Sequence, residues 1–495
     1  MKHFARRFPI CLIAACICCE AFAVDPIKIL GSDLNRIFSD GRLADAQLGI
    51  EIYSLDRKET LFEKNSLKLL VPASNNKIIT AAVALIRLGP DYRFKTQVWA
   101  DGPILDGVLR GNLVIVGFGD PSSSSRIQSR DPFQTFRNWA ERLKQQGIRA
   151  IDGNIIGDGG AFEEKAHGRG WAWDDLTEGF AAPVSALQFN ENLISLEIAP
   201  GPKAGSLASI KTEPLGNYLD LDVKVTTENA GQPRIDIERS RASEMIAVSG
   251  TLPLKSSPLN RPIAVQFPIR YYLWALRSAL AEDGIDVSAC QTIEMRGART
   301  PSSALLWIHS SPPLSEILNP LLKMSLNLSS ETLTRILGLE LKGEGTFSKG
   351  QEVVENAIAQ MGIDKGTYSY ADGSGLSRLN LVSANALIKI LRFIHQHPDF
   401  KIFYDALPIA GVDGTLASRM KKTKAADNVR AKTGSFANVC TLSGYVRTAD
   451  GEMLAFSILA NNFLAPKEVV ESAQDRAMVR LAGFSRKAPR GVAGK

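Results

Sequence analysis

Hydrophobic and polar positions alternate over residues 48–53, Leu-Gly-Ile-Glu-Ile-Tyr, which predicts a strand, with a turn at Asp56-Arg57-Lys58 and a return through Leu61-Phe62-Glu63. The pattern then becomes helical. Val71-Pro72-Ala73-Ser74 stops one element and caps the next, and Ile78, Ile79, Ala82, Leu85 and Ile86 share one face before Gly89-Pro90 closes the helix. Ser74 is therefore expected at or near a helix N-terminus. From about 94 to 294 short β-like runs follow one another between Gly, Pro, Asn and Asp: Leu113–Val116, Ile155-Ile156, Leu193–Ile198, Leu219–Val225 and Ile246–Ser249. This predicts inserted β-rich material. Beyond about 300 helices resume, as at Leu314–Met324 and Ala384–His395. The end reads as strand Thr441–Arg447, a turn at Ala449-Asp450-Gly451, strand Met453–Ala460 and an amphipathic helix from Lys467 to about Leu481. There is no internal repeat and no low-complexity segment.

Composition narrows the class. The chain has 495 residues, 45% apolar and 22% charged, enough for two to four folded domains. At the start, Lys2, Arg6 and Arg7 precede the apolar run Ile10–Cys19, and Ala21-Phe22-Ala23 supplies small residues before Val24-Asp25. That is the layout of a secretory signal peptide over residues 1–23, too short to span a bilayer. Ile13-Ala14-Ala15-Cys16 also resembles a bacterial lipobox, so a lipid-anchored form starting at Cys16 is the alternative. The formal charge of +6 falls to +4 once this segment, with its three basic and one acidic residues, is removed. So weak a balance, with no dense basic stripe, excludes a nucleic-acid partner and allows at most peripheral attraction to an anionic surface. Four of the six cysteines lie in the leader, which excludes a disulfide scaffold. A bridge between Cys290 and Cys440 stays open, and two separately buried thiols are the expectation. No later segment approaches 18 consecutive apolar residues, so no second membrane anchor is expected.

The chemistry is found largely by elimination. Four histidines remain after the leader, there is no G-x-S-x-G elbow and no H-E-x-x-H helix, and His395 and His397, two residues apart, point away from each other on a helix. A Ser-His-Asp hydrolase or a zinc enzyme is disfavoured. Ser-x-x-Lys occurs twice, at Ser74–Lys77 and Ser418–Lys421. On a helix the lysine comes one turn after the serine, and a desolvated amine there can take the serine proton. Ser74 has an apolar helix behind it, whereas Ser418 lies among Arg419, Lys421, Lys422 and Lys424 in what reads as a solvated basic loop. Ser74 and Lys77 are the candidates. Ser325-Leu326-Asn327 follows a helical stretch, and Lys432-Thr433-Gly434-Ser435 precedes the final strands. Each fragment alone is as well explained by a cap, a turn or a strand end.

In this order the three motifs form the signature set of penicillin-binding proteins and serine β-lactamases. The chain resembles the class C low-molecular-mass penicillin-binding proteins, the D-alanyl-D-alanine carboxypeptidase and endopeptidase group of peptidase family S13, over essentially all of its length past the leader. About 250 residues separate Ser74 from Ser325, far more than a β-lactamase carries, and Asp372-Gly373-Ser374-Gly375-Leu376-Ser377 matches a segment of that family. Leu326 departs from the frequent Asp at the centre of Ser-x-Asn; that position varies in type, and activity is expected to survive.

The resemblance implies an α+β fold: a β-lactamase/transpeptidase-like domain, with an antiparallel sheet flanked by helices, carrying two nested β-rich insert domains. The divisions expected are 24–93 plus 295–495 for the catalytic domain, 94–193 plus 262–294 for the second domain and 194–261 for the third. It further implies Ser74 as nucleophile, Lys77 as general base, and Ser325, held with Asn327 and Lys432, as the relay to the leaving amine. Backbone N–H groups of Ser74 and Ser435 would bind the oxyanion, and Lys432 and Thr433 the terminal carboxylate, with Gly434 also among the substrate-binding residues. Asp158 and Arg378 would bind the side chain of the stem peptide's third residue. The implied partners are peptidoglycan stem peptides and β-lactam antibiotics, in the periplasm, with no metal or cofactor. A β-lactamase-like hydrolase and a non-catalytic penicillin-binding scaffold are the competing classes.

Overall fold

A computed structural model describes residues 25–127, 131–163, 165–239 and 245–487. The expected leader and lipobox lie outside the described residues. The first unit is built on a five-stranded, wholly antiparallel sheet ordered Arg430–Phe436, Val439–Arg447, Met453–Asn461, Gln47–Ser54, Glu59–Lys64. Strands near the two ends of the chain meet at its centre, with Gln47 opposite Asn461 and Ser54 opposite Leu454. Met453–Asn461 is buried along its whole length because both faces are covered. Leu454, Phe456, Ile458 and Ala460 pack with helices Pro26–Phe38 and Lys467–Ala482, while Met453, Ala455 and Leu459 face helices Asn76–Leu88, Leu314–Lys323, Phe347–Gln360 and Ala384–His395. The central strands and most expected helices agree with the sequence reading to within two residues.

Helix Asn327–Lys342 is the polar spine of this unit. Its residues from Leu328 to Gly338 are buried although they include Ser329, Ser330, Glu331, Thr332, Thr334 and Arg335. A buried polar side chain needs a partner, and most find one across the helix surface: Ser330 Oγ donates to Gly373 O (2.7 Å), Gln188 Nε2 donates to Thr332 Oγ1 (2.7 Å), and Thr334 Oγ1 meets Tyr370 Oη at 3.0 Å.

Between residues 94 and 310 lies a second five-stranded sheet, ordered Thr292–Glu294, Ile155–Asp158, Asn112–Gly117, Lys95–Asp101, Ala304–Ser310, together with smaller three-stranded sheets. Two of these, Ser209–Glu213 with Leu193–Ala199 and Leu259–Ala264, and Asp220–Glu228 with Met245–Pro253 and Arg234–Arg239, make up the region expected as the innermost insert. Two features differ from the sequence reading. The return to the first unit, expected at 295, comes later, since Ala304–Ser310 still pairs with Lys95–Asp101. The region is also not β throughout: it holds helices Gln134–Gln145 and Pro268–Glu282. Phe136, Trp139, Ala140 and Leu143 are spaced as a helical stripe, and Tyr271, Tyr272, Ala275, Leu276 and Ala279 repeat it behind a first-turn Pro268. Cys290 and Cys440 are buried and unbridged.

The edge strand Arg430–Phe436 closes on the start of helix Asn76–Leu88 at Gly434. A Cβ there would stand 2.8 Å from Ser74 N, 2.8 Å from Pro72 O and 2.4 Å from Thr441 Oγ1, so only glycine allows this approach. Gly434→Ala is expected to lower the stability read by chemical denaturation by about 1–3 kcal/mol. A variant with the parent's midpoint would show that strand and helix can separate freely here.

Candidate active site

Ser74 sits in a single 3₁₀ turn, Ala73–Asn75, that leads into helix Asn76–Leu88, and makes no side-chain cap. The expected capping role is corrected on this point. The preceding Ala73 adopts φ of 46°, a left-handed conformation that a non-glycine residue takes only when its surroundings impose it. Two glycines close on this turn: Gly434 against Pro72 O and Ser74 N, and Gly375, with φ of 83°, whose Cβ would fall 1.9 Å from Ala73 O. The turn continues helically, so Lys77 comes under Ser74. Ser74 is half-buried and Lys77 fully buried.

The Lys77 amine is held by three neutral acceptors: Ser74 Oγ at 2.9 Å, Asn327 Oδ1 at 2.6 Å and Ser374 O at 2.7 Å. Burial strips it of water and lowers its pKa to about 7, against the opposing pull of Asp372 and Glu331. Asn327 is aimed by its other end, where Nδ2 donates to Phe180 O at 2.7 Å. Lys432 is also fully buried; desolvation first, and then the charge of Lys77, hold its amine well below the ordinary lysine range. It donates to Thr433 O at 2.9 Å, while Asn75 Nδ2 donates to Lys432 O at 3.0 Å and ties the strand to the serine turn. Thr433 Oγ1 donates to Thr415 Oγ1 at 2.7 Å, and Ser435 is exposed at the end of the edge strand.

Ser325 is half-buried, with φ of 61°, at the break between helices Leu314–Lys323 and Asn327–Lys342. Among the described residues it forms no hydrogen bond with Asn327 or Lys432. Leu326 beside it is buried, which gives the departure from Asp a packing reason. A cavity of about 460 Å³ opens against Ser325, Asn327 and Phe180.

The segment 372–377, read from sequence as a plain glycine turn with hydroxyls, is the floor of the site. Asp372 is fully buried, and its carboxylate accepts from Gly375 N (2.7 Å), Ser377 N (2.5 Å), Asn380 Nδ2 (2.8 Å) and Trp171 Nε1 (2.9 Å). These bonds shape the loop that presents the Ser374 carbonyl to Lys77. Asp158 and Arg378, expected to bind the two ends of one substrate side chain, make no direct contact with each other. Asp158, 5% exposed, ends strand Ile155–Asp158 and accepts from Gly160 N (2.8 Å) and Ala298 N (3.1 Å), as a turn aspartate does. No hydrogen bond or ion pair joins it to Arg378. Exposed Arg378 lies over the Phe436 ring at 5.1 Å and donates to Ala437 O at 3.3 Å; the acid its charge acts on is Asp175, whose carboxyl is raised by burial and by Asp174 and lowered by Arg378. Ser418 is exposed in a non-helical turn, so its lysine three residues on does not share a face with it. Nor is Arg419 solvated, for it pairs with Asp475 at 2.6 Å.

The sequence profile of the D-Ala-D-Ala carboxypeptidase 3 (S13) family matches residues 30–483. A D-alanyl-D-alanine carboxypeptidase from Actinomadura sp. is 32% identical over 477 residues, covering 94% of this chain and 86% of that protein. The D-alanyl-D-alanine carboxypeptidase DacB of Haemophilus influenzae is 28% identical, covering 87% of this chain and 88% of its own. The crystal structure of penicillin binding protein 4 from H. influenzae matches with a TM-score of 0.79 and 25% identity, over 92% of this chain and 99% of that one.

Asp372→Asn keeps the shape of the side chain but turns an acceptor toward which four donors point into a half-donor. The variant is expected to lose about 1.5–3 kcal/mol in chemical denaturation, the worth of hydrogen bonds to a charged group. A stability equal to the parent's would mean that the carboxylate does not hold the loop.

Proposed function

The chain belongs to the D-Ala-D-Ala carboxypeptidase 3 (S13) family, and we propose that Ser74 and Lys77 carry out its reaction, with Asn327, Ser325 and Lys432 around them. The activity is that of a penicillin-sensitive serine D,D-carboxypeptidase and D,D-endopeptidase acting through an acyl-enzyme. The observation that carries the residue assignment is the buried Lys77 amine 2.9 Å from Ser74 Oγ.

As an ammonium, Lys77 donates to all three of its neighbours. As a neutral amine it keeps two N–H donors for Asn327 and Ser374 and offers its lone pair to the Ser74 hydroxyl, without any atom moving. Ser74 Oγ then attacks the carbonyl carbon of the penultimate D-Ala while its proton passes to Lys77 Nζ. Backbone N–H groups of Ser74 and Ser435 take the oxyanion. On collapse the C–N bond breaks, and Ser325 Oγ hands a proton to the leaving amine. Ser325 is restored by the proton held on Lys77, which returns that amine to its neutral form; water then attacks the acyl-enzyme, giving a proton to Lys77, which passes it to Ser74 Oγ as the acyl–oxygen bond breaks.

Lys432 and Thr433 bind the terminal carboxylate. That anion favours the charged form of Lys432, and a charged Lys432 disfavours protonation of Lys77, so substrate binding itself helps to keep the base neutral. Asp158 and Arg378, with Asp175 near enough to Arg378 to feel its charge, are the groups of this reading for the side chain of the third residue. The cavity beyond Ser325 supports a leaving group larger than free D-Ala, as in a cross-linked peptide. Stem peptides and β-lactams are the ligands of this reading. The 1–23 leader supports export to the periplasm, and among the described residues no helix is long and apolar enough to cross a membrane. The division into a catalytic domain and two inserts is likewise proposed, with its outer border moved to the end of strand Ala304–Ser310.

Incubation of the mature protein with purified muropeptides, with products separated by mass, tests this function. Loss of terminal D-Ala from pentapeptides and conversion of cross-linked dimers to monomers are expected. Ser74→Ala should lose both conversions and its labelling by fluorescent penicillin, while Ser418→Ala keeps all three. Persistence of both substrates with labelled Ser74 would contradict the hydrolase reading, and a label mapped elsewhere would contradict the choice of serine.

A further inference from the structure

A buried acid and a buried arginine stand behind the Lys77 amine. Glu331 lies four residues after Asn327 on the same helix, so both side chains leave one face of it. Asn327 meets Lys77 directly. Glu331 meets it through one residue: its Oε1 accepts from Ser374 N at 2.8 Å, and the carbonyl of that same Ser374 accepts from Lys77 Nζ at 2.7 Å. The other carboxylate oxygen, Oε2, is buried without a hydrogen bond and stands 3.6 Å from Arg335 Nη1. Arg335, 2% exposed, is shared in turn with Glu163 at 3.7 Å.

The groups whose charges bear on Glu331 come from each element packed around it. Lys77 approaches from helix Asn76–Leu88, Asp372 and the Ser374 amide from the loop, Arg335 from its own helix, and the Tyr370 hydroxyl from the segment leading into the loop. Desolvation and the neighbouring Asp372 push the Glu331 carboxyl upward, while Arg335 and the Ser374 amide pull it down. Glu331 in turn pulls the Lys77 amine upward, against the effect of its burial.

We propose that Glu331 is a positioning residue for the reaction: through Ser374 it fixes the carbonyl that holds the Lys77 amine, and through its charge it favours the ammonium form of that amine. The proposal rests on the reading of Lys77 as the base of Ser74. It separates two effects that a merely structural carboxylate would not. An ionised Glu331 stabilises the ammonium form of Lys77, so removing the charge lets the amine lose its proton at lower pH. Removing the acceptor altogether frees the Ser374 segment and loosens one of the three contacts that aim the amine.

Glu331→Gln and Glu331→Ala discriminate them. Gln retains an oxygen for the Ser374 N–H and lacks the charge; Ala lacks both. The rate of Ser74 acylation by fluorescent penicillin would be followed from acid to alkaline pH for the parent and both variants, with thermal melting to verify folding. The parent should show a rate that rises with pH through about 7, where Lys77 deprotonates. In Glu331→Gln this limb should move to lower pH by about half a unit or more. In Glu331→Ala the alkaline plateau should also fall by about 10-fold or more, as expected of a misplaced reacting group. A Glu331→Gln profile superimposable on that of an active parent overturns the proposal while leaving the function intact, and so does a folded Glu331→Ala with the parent's plateau. If Glu331→Ala does not fold, the position of the Glu331→Gln limb decides alone. A parent that is not acylated at any pH overturns the functional reading, and this proposal with it.

Discussion

One constraint organises this protein: a lysine amine must be kept dry beside a serine that still reaches solvent. Burying an ammonium is costly unless its donors are satisfied, and a buried lysine responds by losing its proton more readily. Lys77 meets this with three acceptors that carry no formal charge, so neither form of the amine is left with a broken contact. A carboxylate in direct contact would have held the proton in place. The acids are set one layer back, Glu331 behind Ser374 and Asp372 behind its own loop, where they temper the loss of charge without preventing it.

The fold can be understood as the scaffolding for that arrangement. Three chain segments far apart in sequence must converge on one amine: the serine turn, the Asn327 helix and the 372–377 loop. Each is fixed by backbone as much as by side chains. Gly375 and Gly434 let the chain close on the backbone of Pro72–Ser74 from two sides, around an Ala73 in a left-handed conformation. The sheet contributes its edge: strand Arg430–Phe436 is held on one side by Val439–Arg447 and presents Lys432, Thr433 and Ser435 along the other. The irregular segment that follows strand Ile155–Asp158 supplies Phe180 and Trp171, which aim Asn327 and fasten Asp372.

Much of this was legible in the sequence because it rests on local spacing. Ser74 and Lys77 are one turn apart, Lys432-Thr433-Gly434 leads into a hairpin of apolar, almost wholly buried strands, and the flanking helices carry readable apolar faces. What escaped rests on contacts between distant segments. Nothing near Ser374 in sequence shows that its carbonyl ends on Lys77, and nothing near Asp175 shows that it lies by Arg378 while Asp158 is spent on two backbone amides. Glu331 was hidden differently: its spacing from Asn327 was a signal, but only the closeness of Ser374 to both Lys77 and Glu331 gives that spacing a meaning. Helices Gln134–Gln145 and Pro268–Glu282 had readable stripes and were obscured by the glycine- and proline-rich strands around them.

The central claim is that burial among neutral acceptors brings the titration of the Lys77 amine down to about neutral pH, where a large fraction of it is the free base. Protein labelled with ¹³C and ¹⁵N at lysine, with the Lys77 signal assigned by its loss in Lys77→Met, allows the Cε and Nζ shifts to be followed through a pH titration. The account predicts a midpoint at about 7, far from the other lysines. A midpoint in the ordinary lysine range of about 10.4 would contradict it and leave Ser74 without the base assigned here.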